Sequence, residues 1–324
     1  MPVLPVLPIS LQKLWLLSCL HVIETIDAMK QEDIVQTYRP LLFSIAYNML
    51  GSVMDAEDCV QETFLRWYAA SRDQEAEVIQ NPKGYLCTVI TRVCIDELRQ
   101  ARRQRESYVG VWLPEPLVTE EMSTRMEQKE ILSITLLHVL ETLSPLQRAV
   151  FLLRQVFEYD YAEIAHMVQK SAVHCRQVMW QARHALSGNR QQDGPRSSQH
   201  SLIVQRFLDA YEHGDIESLL SVLADDVALY TDGGGKAKAA RKPLYGAFKA
   251  ARFLLAVKHK VSELIVYRRL ARINGQPGII SYQQEVPYSV MVFDIAEQKI
   301  REVNVIVNPD KLRHILPPCQ GTRT

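Results

Sequence analysis

Apolar residues recur at helical spacing through most of this chain and give way to short strand-like runs only in its last third. In 55–70 (DAEDCVQETFLRWYAA), Val60, Phe64 and Trp67 fall on one helix face. The turn signal Asn81-Pro82-Lys83-Gly84 precedes a longer helix from Tyr85 to about Arg105, with Leu86, Val89, Ile90 and Val93 inward. Tyr161 to Val168 is a short amphipathic helix carrying Ile164, Ala165 and Val168 on one side. Gln169 and Lys170 fill a turn, Ser171 is an N-cap, and Cys175, Val178, Met179, Ala182 and Leu186 form the inner stripe of the next helix. That is a helix-turn-helix. Helices are predicted over 201–213, 216–223 and 247–257. Strands are predicted at 227–231 and near 262–267, 278–285, 289–293 and 299–307.

The outward faces carry the chemistry. The last helix of the helix-turn-helix presents Arg176, Gln177, Trp180, Gln181 and His184, with His174 near its start and Arg183 at its edge. A DNA major groove accepts such a helix, and Arg and Gln offer donors to base edges. Thr88, Thr91, Arg92, Arg99 and Arg102 are predicted to face outward from the 85–105 helix, and Arg103 and Arg105 extend its positive end. Arginines clustered on one helix face suit phosphates, although a basic helix end also complements the macrodipole. On the 55–70 helix, Asp55, Asp58, Glu62 and Arg66 share the far face, with Gln61 beside them. By itself such a face is usually only solvated.

In order and content, these segments resemble the extracytoplasmic-function (ECF) sigma factors of bacterial RNA polymerase. AEDCVQETFLRWY is similar to the helix that grips the polymerase clamp, which implies a polymerase-binding face of Asp55, Asp58, Gln61, Glu62 and Arg66. NPKGYLCTVITRVCIDELRQARRQR is similar to the helix that opens and reads the −10 element, which implies DNA contacts for Arg92, Arg99, Arg102 and Arg103. Many ECF factors carry Asn where this chain has Arg92. LSPLQRAVFLLRQVFEYDYAEIAHMVQKSAVHCRQVMWQARHAL is similar to the reader of the −35 element, which implies DNA contacts for Ser171, His174, Arg176, Gln177, Gln181, Arg183 and His184.

Three further strings resemble the signature of the ECF group with a fused SnoaL-like C-terminal domain. They are Trp112-Leu113-Pro114-Glu115-Pro116, Asp232-Gly233-Gly234-Gly235-Lys236 and Asn308-Pro309-Asp310-Lys311-Leu312. The resemblance implies that these fifteen residues are regulatory, contacting the sigma domains or the linker between them, with no separate anti-sigma protein. A small ligand in the C-terminal pocket is a further implied partner. Both C-terminal tags also read as plain turns.

Composition fits this picture without suggesting it. The chain has 324 residues, 37 Lys/Arg and 37 Asp/Glu, so DNA affinity must come from local patches. None of the six cysteines forms a CxxC pair or joins a His at zinc spacing, so no metal or cofactor is expected. Most sit in apolar stripes, which suits a reducing cytoplasm. The apolar start has three prolines, no basic lead and too short a run to span a bilayer, so no membrane partner is expected.

The expected organisation has seven parts. Residues 1–29 are a non-native start or disordered tail, with translation beginning at Met29. Residues 30–105 are the first sigma domain (region 2), 106–125 a linker and 126–187 the helix-turn-helix domain (region 4). A flexible linker at 188–200 leads to a SnoaL-like domain at 201–315 and a tail at 316–324. The expected fold is two all-α sigma domains followed by an α+β cone of the SnoaL-like, nuclear-transport-factor-like kind wrapping a pocket. Asp232 could serve as a base in such a pocket, but no partner His or second carboxylate is evident, and no catalytic residue is assigned. A ligand-sensing regulator that binds duplex DNA without polymerase is the alternative, and an enzyme fused to a DNA-binding module is a further one.

Overall fold

The protein is described here by a computed structural model covering residues 31–72, 79–119, 131–187, 198–261 and 267–317. The expectations for residues 1–29, for most of the 188–200 linker and for the tail beyond 317 lie outside these residues.

Among the described residues, seven helices build the first half. They are α1 (31–50), α2 (Val53–Arg72), α3 (Pro82–Arg105), α4 (Ile134–Leu140), α5 (Pro145–Gln155), α6 (Tyr161–Val168) and α7 (Ala172–Leu186). Local chemistry sets several of their ends. Gly51, at φ 68°, makes the sharp turn between α1 and α2. Asn81 accepts from the Gly84 amide at the start of α3 (3.0 Å). Ser144 with Gln147, and Asp160 with Glu163, form capping boxes on α5 and α6. Gln169 closes α6 in the left-handed region, and Ser171 caps α7. Ile45, Val60, Leu86 and Ile90 from α1–α3 share one continuous hydrophobic core with Leu152, Ile164, Cys175 and Val178 from α5–α7. The two helical units therefore pack face to face.

The second half comprises α8 (Ser198–His213), α9 (Ile216–Val222), β1 (Leu223–Asp232), β2 (Leu244–Tyr245), α10 (Ala247–Val261), β3 (Tyr267–Ile273), β4 (Gln276–Gln283), β5 (Val286–Ala296), β6 (Lys299–Ile306) and a 3-10 turn, Pro309–Leu312. Strands β3 to β6 form an antiparallel meander, and β1 joins β6 in parallel. Phe207, Tyr211, Leu254, Phe293 and Val303 fill the space between helices and sheet.

The expected cone is not what forms. The sheet is open, in the order β2-β1-β6-β5-β4-β3, so β2 and β3 stand at opposite edges. With only two residues, β2 is too short to carry the sheet around to β3. At the far edge, Val118 of the linker bridges Ile273 of β3 and occupies that end. The strand predicted near 262–267 appears as β3, starting at Tyr267; residues 262–266 lie outside the described set. Arginines at 268, 269 and 272 had masked its apolar alternation. Among the described residues, no helix is long and apolar enough to cross a membrane.

Candidate functional site

The three tags converge on one buried carboxylate. Asp232 ends β1 with no exposed surface. Its oxygens accept from the Tyr108 hydroxyl (2.5 Å), the Leu113 amide (2.9 Å), the Gly234 amide (3.1 Å) and Lys311 Nζ (2.7 Å). Lys311 also donates to the Leu113 carbonyl, and its ammonium lies 4.1 Å from the Trp112 ring centroid. Burial pulls the Lys311 ammonium below the usual lysine range, while Asp232 pulls it back up. Asn308 caps the 3-10 turn through Asp310 N and donates to Tyr108 Oη (2.9 Å). Gly234 has to be glycine, because a β-carbon there would lie 2.3 Å from Asn308 Nδ2. Lys236, on the surface, pairs with Asp310.

From this hub the linker runs to the first helical unit. Leu113 is fully buried in a cluster with Ile280, Val290 and Ile306 of the sheet. Two residues on, the buried Glu115 carboxylate accepts from Val53 N (2.6 Å) and Ser52 Oγ (3.0 Å), which caps α2. Pro114 packs against Gly51, and Pro116 offers its carbonyl to the His314 ring at 2.7 Å. Trp112 lies between Lys311 and the Arg105 guanidinium, 3.7 Å away. In the β3–β4 turn, Asn274 exchanges hydrogen bonds with Leu117 and donates to Tyr47 Oη (2.7 Å) and Leu132 O (2.8 Å). One side chain thus touches both helical units and the linker.

Arginines stitch the helical units together by meeting the open carbonyls at helix ends. Arg148, 2% exposed, donates to Asn48 O on α1 and pairs with Glu141. Arg105 pairs with the same Glu141 and donates to Leu50 O. Burial alone would raise the Glu141 carboxyl, but Arg148 and Arg105 outweigh it and hold it below the usual carboxylate range. Arg92 donates to Met167 O (2.9 Å) and His166 O (3.0 Å) at the C-terminal end of α6.

By contrast, the outer face of α7 is open. Gln177, Gln181 and His184 are exposed, and Trp180 is 67% exposed, stacked only on His184 among the described rings. Arg176 lies over Tyr161, and Arg183 reaches Gln155. On α2, Asp58, Gln61 and Arg66 are exposed beside half-buried Asp55 and Glu62, and the apolar Met54 and Leu65 are also exposed.

Comparison with known proteins decides what this arrangement belongs to. Residues 34–104 match the Sigma-70 region 2 family and residues 133–183 match Sigma-70, region 4. The chain is 33% identical over 290 residues to the ECF RNA polymerase sigma factor SigJ of Mycobacterium tuberculosis, covering 85% of this chain and 91% of that protein. The chain belongs to the ECF RNA polymerase sigma factor family. A probable ECF sigma factor of the same organism, SigI, is 28% identical, with 88% and 97% covered. The crystal structure of SigJ superposes on this sigma factor with a TM-score of 0.69 at 30% identity, over 85% of this chain and 95% of that one. As a member of that family, the protein works through RNA polymerase at promoters and catalyses no reaction of its own.

In this ECF factor the predicted −10 residues divide. Thr88 and Thr91, read as outward, are buried, with their hydroxyls turned back to Gly84 O and Cys87 O. Arg92 is engaged by α6, Arg99 pairs with Asp96, and Arg102 is exposed. Nothing is described of the Arg103 side chain. Sequence reasoning missed Asn274, Tyr108, Glu141 and Arg148, which join the parts, and read Arg105 as part of a positive helix end although it pairs with Glu141 and donates to Leu50 O. Only Asn274, an Asn-Gly turn, left a local signal.

Proposed function

We propose that residues 201–315 act as a built-in regulator that fixes the two promoter-reading units through the linker. The Asp232–Lys311 pair supports this best, because it binds Tyr108 and Leu113 of the linker from inside the C-terminal core. In this reading Asp55, Asp58, Gln61, Glu62 and Arg66 meet core polymerase. Residues Ser171, His174, Arg176, Gln177, Gln181, Arg183 and His184 meet the −35 element. Arg99, Arg102 and Arg103 meet the −10 region, and Arg92 joins them once it leaves α6. A small ligand would regulate the protein by binding one arrangement better than the other. A cavity of about 310 Å³ between α8 and α9, lined by Arg206, Asp209, His213 and Ser218, is a place to look for it.

The test is run-off transcription with core polymerase, comparing the full-length chain, a form ending at Gly188 and Asp232→Asn. Initiation that depends on the protein, with a yield altered by both changes, is expected. The same yield from all three forms would remove the regulatory role.

A further inference from the structure

Residues 233–262 contain eight Lys or Arg and no Asp or Glu, in a chain whose formal charges balance. Lys236 is spoken for by Asp310, and Lys258 reaches the Glu212 carbonyl. Lys238, Arg241 and Lys242, in the loop after β1, are exposed and have no carboxylate partner among the described residues. Lys249 and Arg252 stand on the outer face of α10, opposite Ala250, Ala251 and Leu254 in the core. Beside them are two exposed aromatic rings, Tyr245 (60% exposed) and Phe248 (56%), with the Arg252 guanidinium 5.5 Å from the Phe248 centroid.

A basic surface is usually only solvated. Its position argues otherwise here. A β-carbon placed on Gly110 would lie 3.9 Å from Arg241 Cα, and one on Gly235 would touch Val109. Gly110 is five residues beyond Arg105, the last residue of α3, and Tyr108 N is bonded to Arg105 O. The loop therefore lies against the chain leaving the arginine-bearing end of α3, where Arg102 is exposed. Exposed Asp225 and Asp226 bound the surface on the Gly246 side.

We infer that the loop after β1 and the outer face of α10 form a further DNA-contacting surface, which takes the phosphate backbone of promoter DNA as a continuation of the α3 end. Cations without a carboxylate partner among the described residues, beside exposed rings, suit a sugar–phosphate strand, and the family's work brings DNA to α3. The C-terminal domain then adds affinity for the promoter besides restraining the linker. An acidic protein surface is the competing occupant, and the experiment separates the two.

The experiment measures binding of fluorescently labelled promoter DNA to the full-length protein in complex with core polymerase across a salt series. The triple variant Lys238→Ala, Arg241→Ala, Lys242→Ala is expected to bind about 10- to 100-fold more weakly at low salt. The slope of log affinity against log salt should become shallower by about 0.9 for each phosphate that is no longer neutralised. Lys249→Ala with Arg252→Ala should act in the same direction. A control, Lys299→Ala with Arg301→Ala, removes charge at the opposite end of the sheet and should leave the slope alone. An unchanged slope in the triple variant would overturn the inference, as would an equal change in the control. So would weakened binding to core polymerase without DNA, which would assign the surface to a protein partner.

Discussion

Helices α3 and α7, proposed above to read the promoter, are held in opposite conditions. Helix α7 buries one stripe in its own unit and leaves Gln177, Trp180, Gln181 and His184 to solvent. Helix α3 is covered on a second side, because Thr88 and Thr91 are buried and Arg92 caps the end of α6. A duplex can approach α7 as it stands, but full access to α3 requires α6 to leave. In the reading proposed above, α7 would engage the −35 element before α3 engages the −10 element, because Arg92 must first leave α6.

The change expected to break this contrast most thoroughly is Asp232→Ala. It strands the buried Lys311 ammonium and frees Tyr108 and Leu113, costing about 3–5 kcal/mol. Denaturant unfolding measures the loss, and proteolysis should begin between 108 and 117. Glu115→Ala removes the linker's part of the cap on α2, leaving the Ser52 part, and should cost about 1 kcal/mol. Hydrogen exchange should then quicken at Val53 while amides in α7 keep their protection; uniform quickening would mean that the two units do not respond separately. Arg92→Ala should cost only about 1 kcal/mol, since the guanidinium is partly exposed. Distance measurements between labels on α3 and α6 should show the pair opening more often, with binding to a −35 duplex unchanged.

Acid provides a finer probe. His138 is half-buried at the start of the helix-turn-helix unit, edge-on against Tyr230 of β1, and desolvation lowers its pKa. Glu141, Lys311 and Asp232 are the charged groups that act on it. A depressed histidine contributes stability that is complete above its unfolded value of about 6.5 and is lost as pH falls toward the folded one. Glu141, also depressed, acts in the same direction below about 4.5, whereas half-buried Glu302, raised by desolvation, opposes it. Relative to His138→Phe, the wild type should lose stability as pH falls below about 6.5. The smallest effect on stability belongs to Trp180→Ala, within about 0.5 kcal/mol. Such a variant would still bind −35 DNA differently if the exposed ring meets the groove.

What was legible in the sequence was local. Ser171 and the stripe through Cys175, Val178, Met179 and Ala182 define α7 from spacing and capping alone. The same periodicity placed Thr88 and Thr91 outward from α3, because a pattern shows that a helix has an inner face but not that a second element covers another one. Ser52 supplies a local cap on α2 through the Asp55 amide (3.2 Å), but the second part comes from Glu115, 62 residues downstream of Val53, where no local capping rule could find it. Strand patterns told that a sheet exists, but not whether its edges meet. Closure failed on the two-residue length of β2 and on the linker's hold at Ile273.

That hold has a consequence for solubility. An open sheet edge is a template for pairing with other chains. Along most of β3 the arginines at 268, 269 and 272 keep the edge charged. At its end the shielding comes from Val118, Leu117 and Thr119, which bond to Ile273, Asn274 and Gly275. A C-terminal fragment cut away from residues 106–119 would uncover that end together with the apolar bed of Leu113, and should self-associate edge to edge. In the proposed regulatory reading, complete detachment would leave a sticky C-terminal domain, so the helical units would move while the linker stays sewn to the sheet.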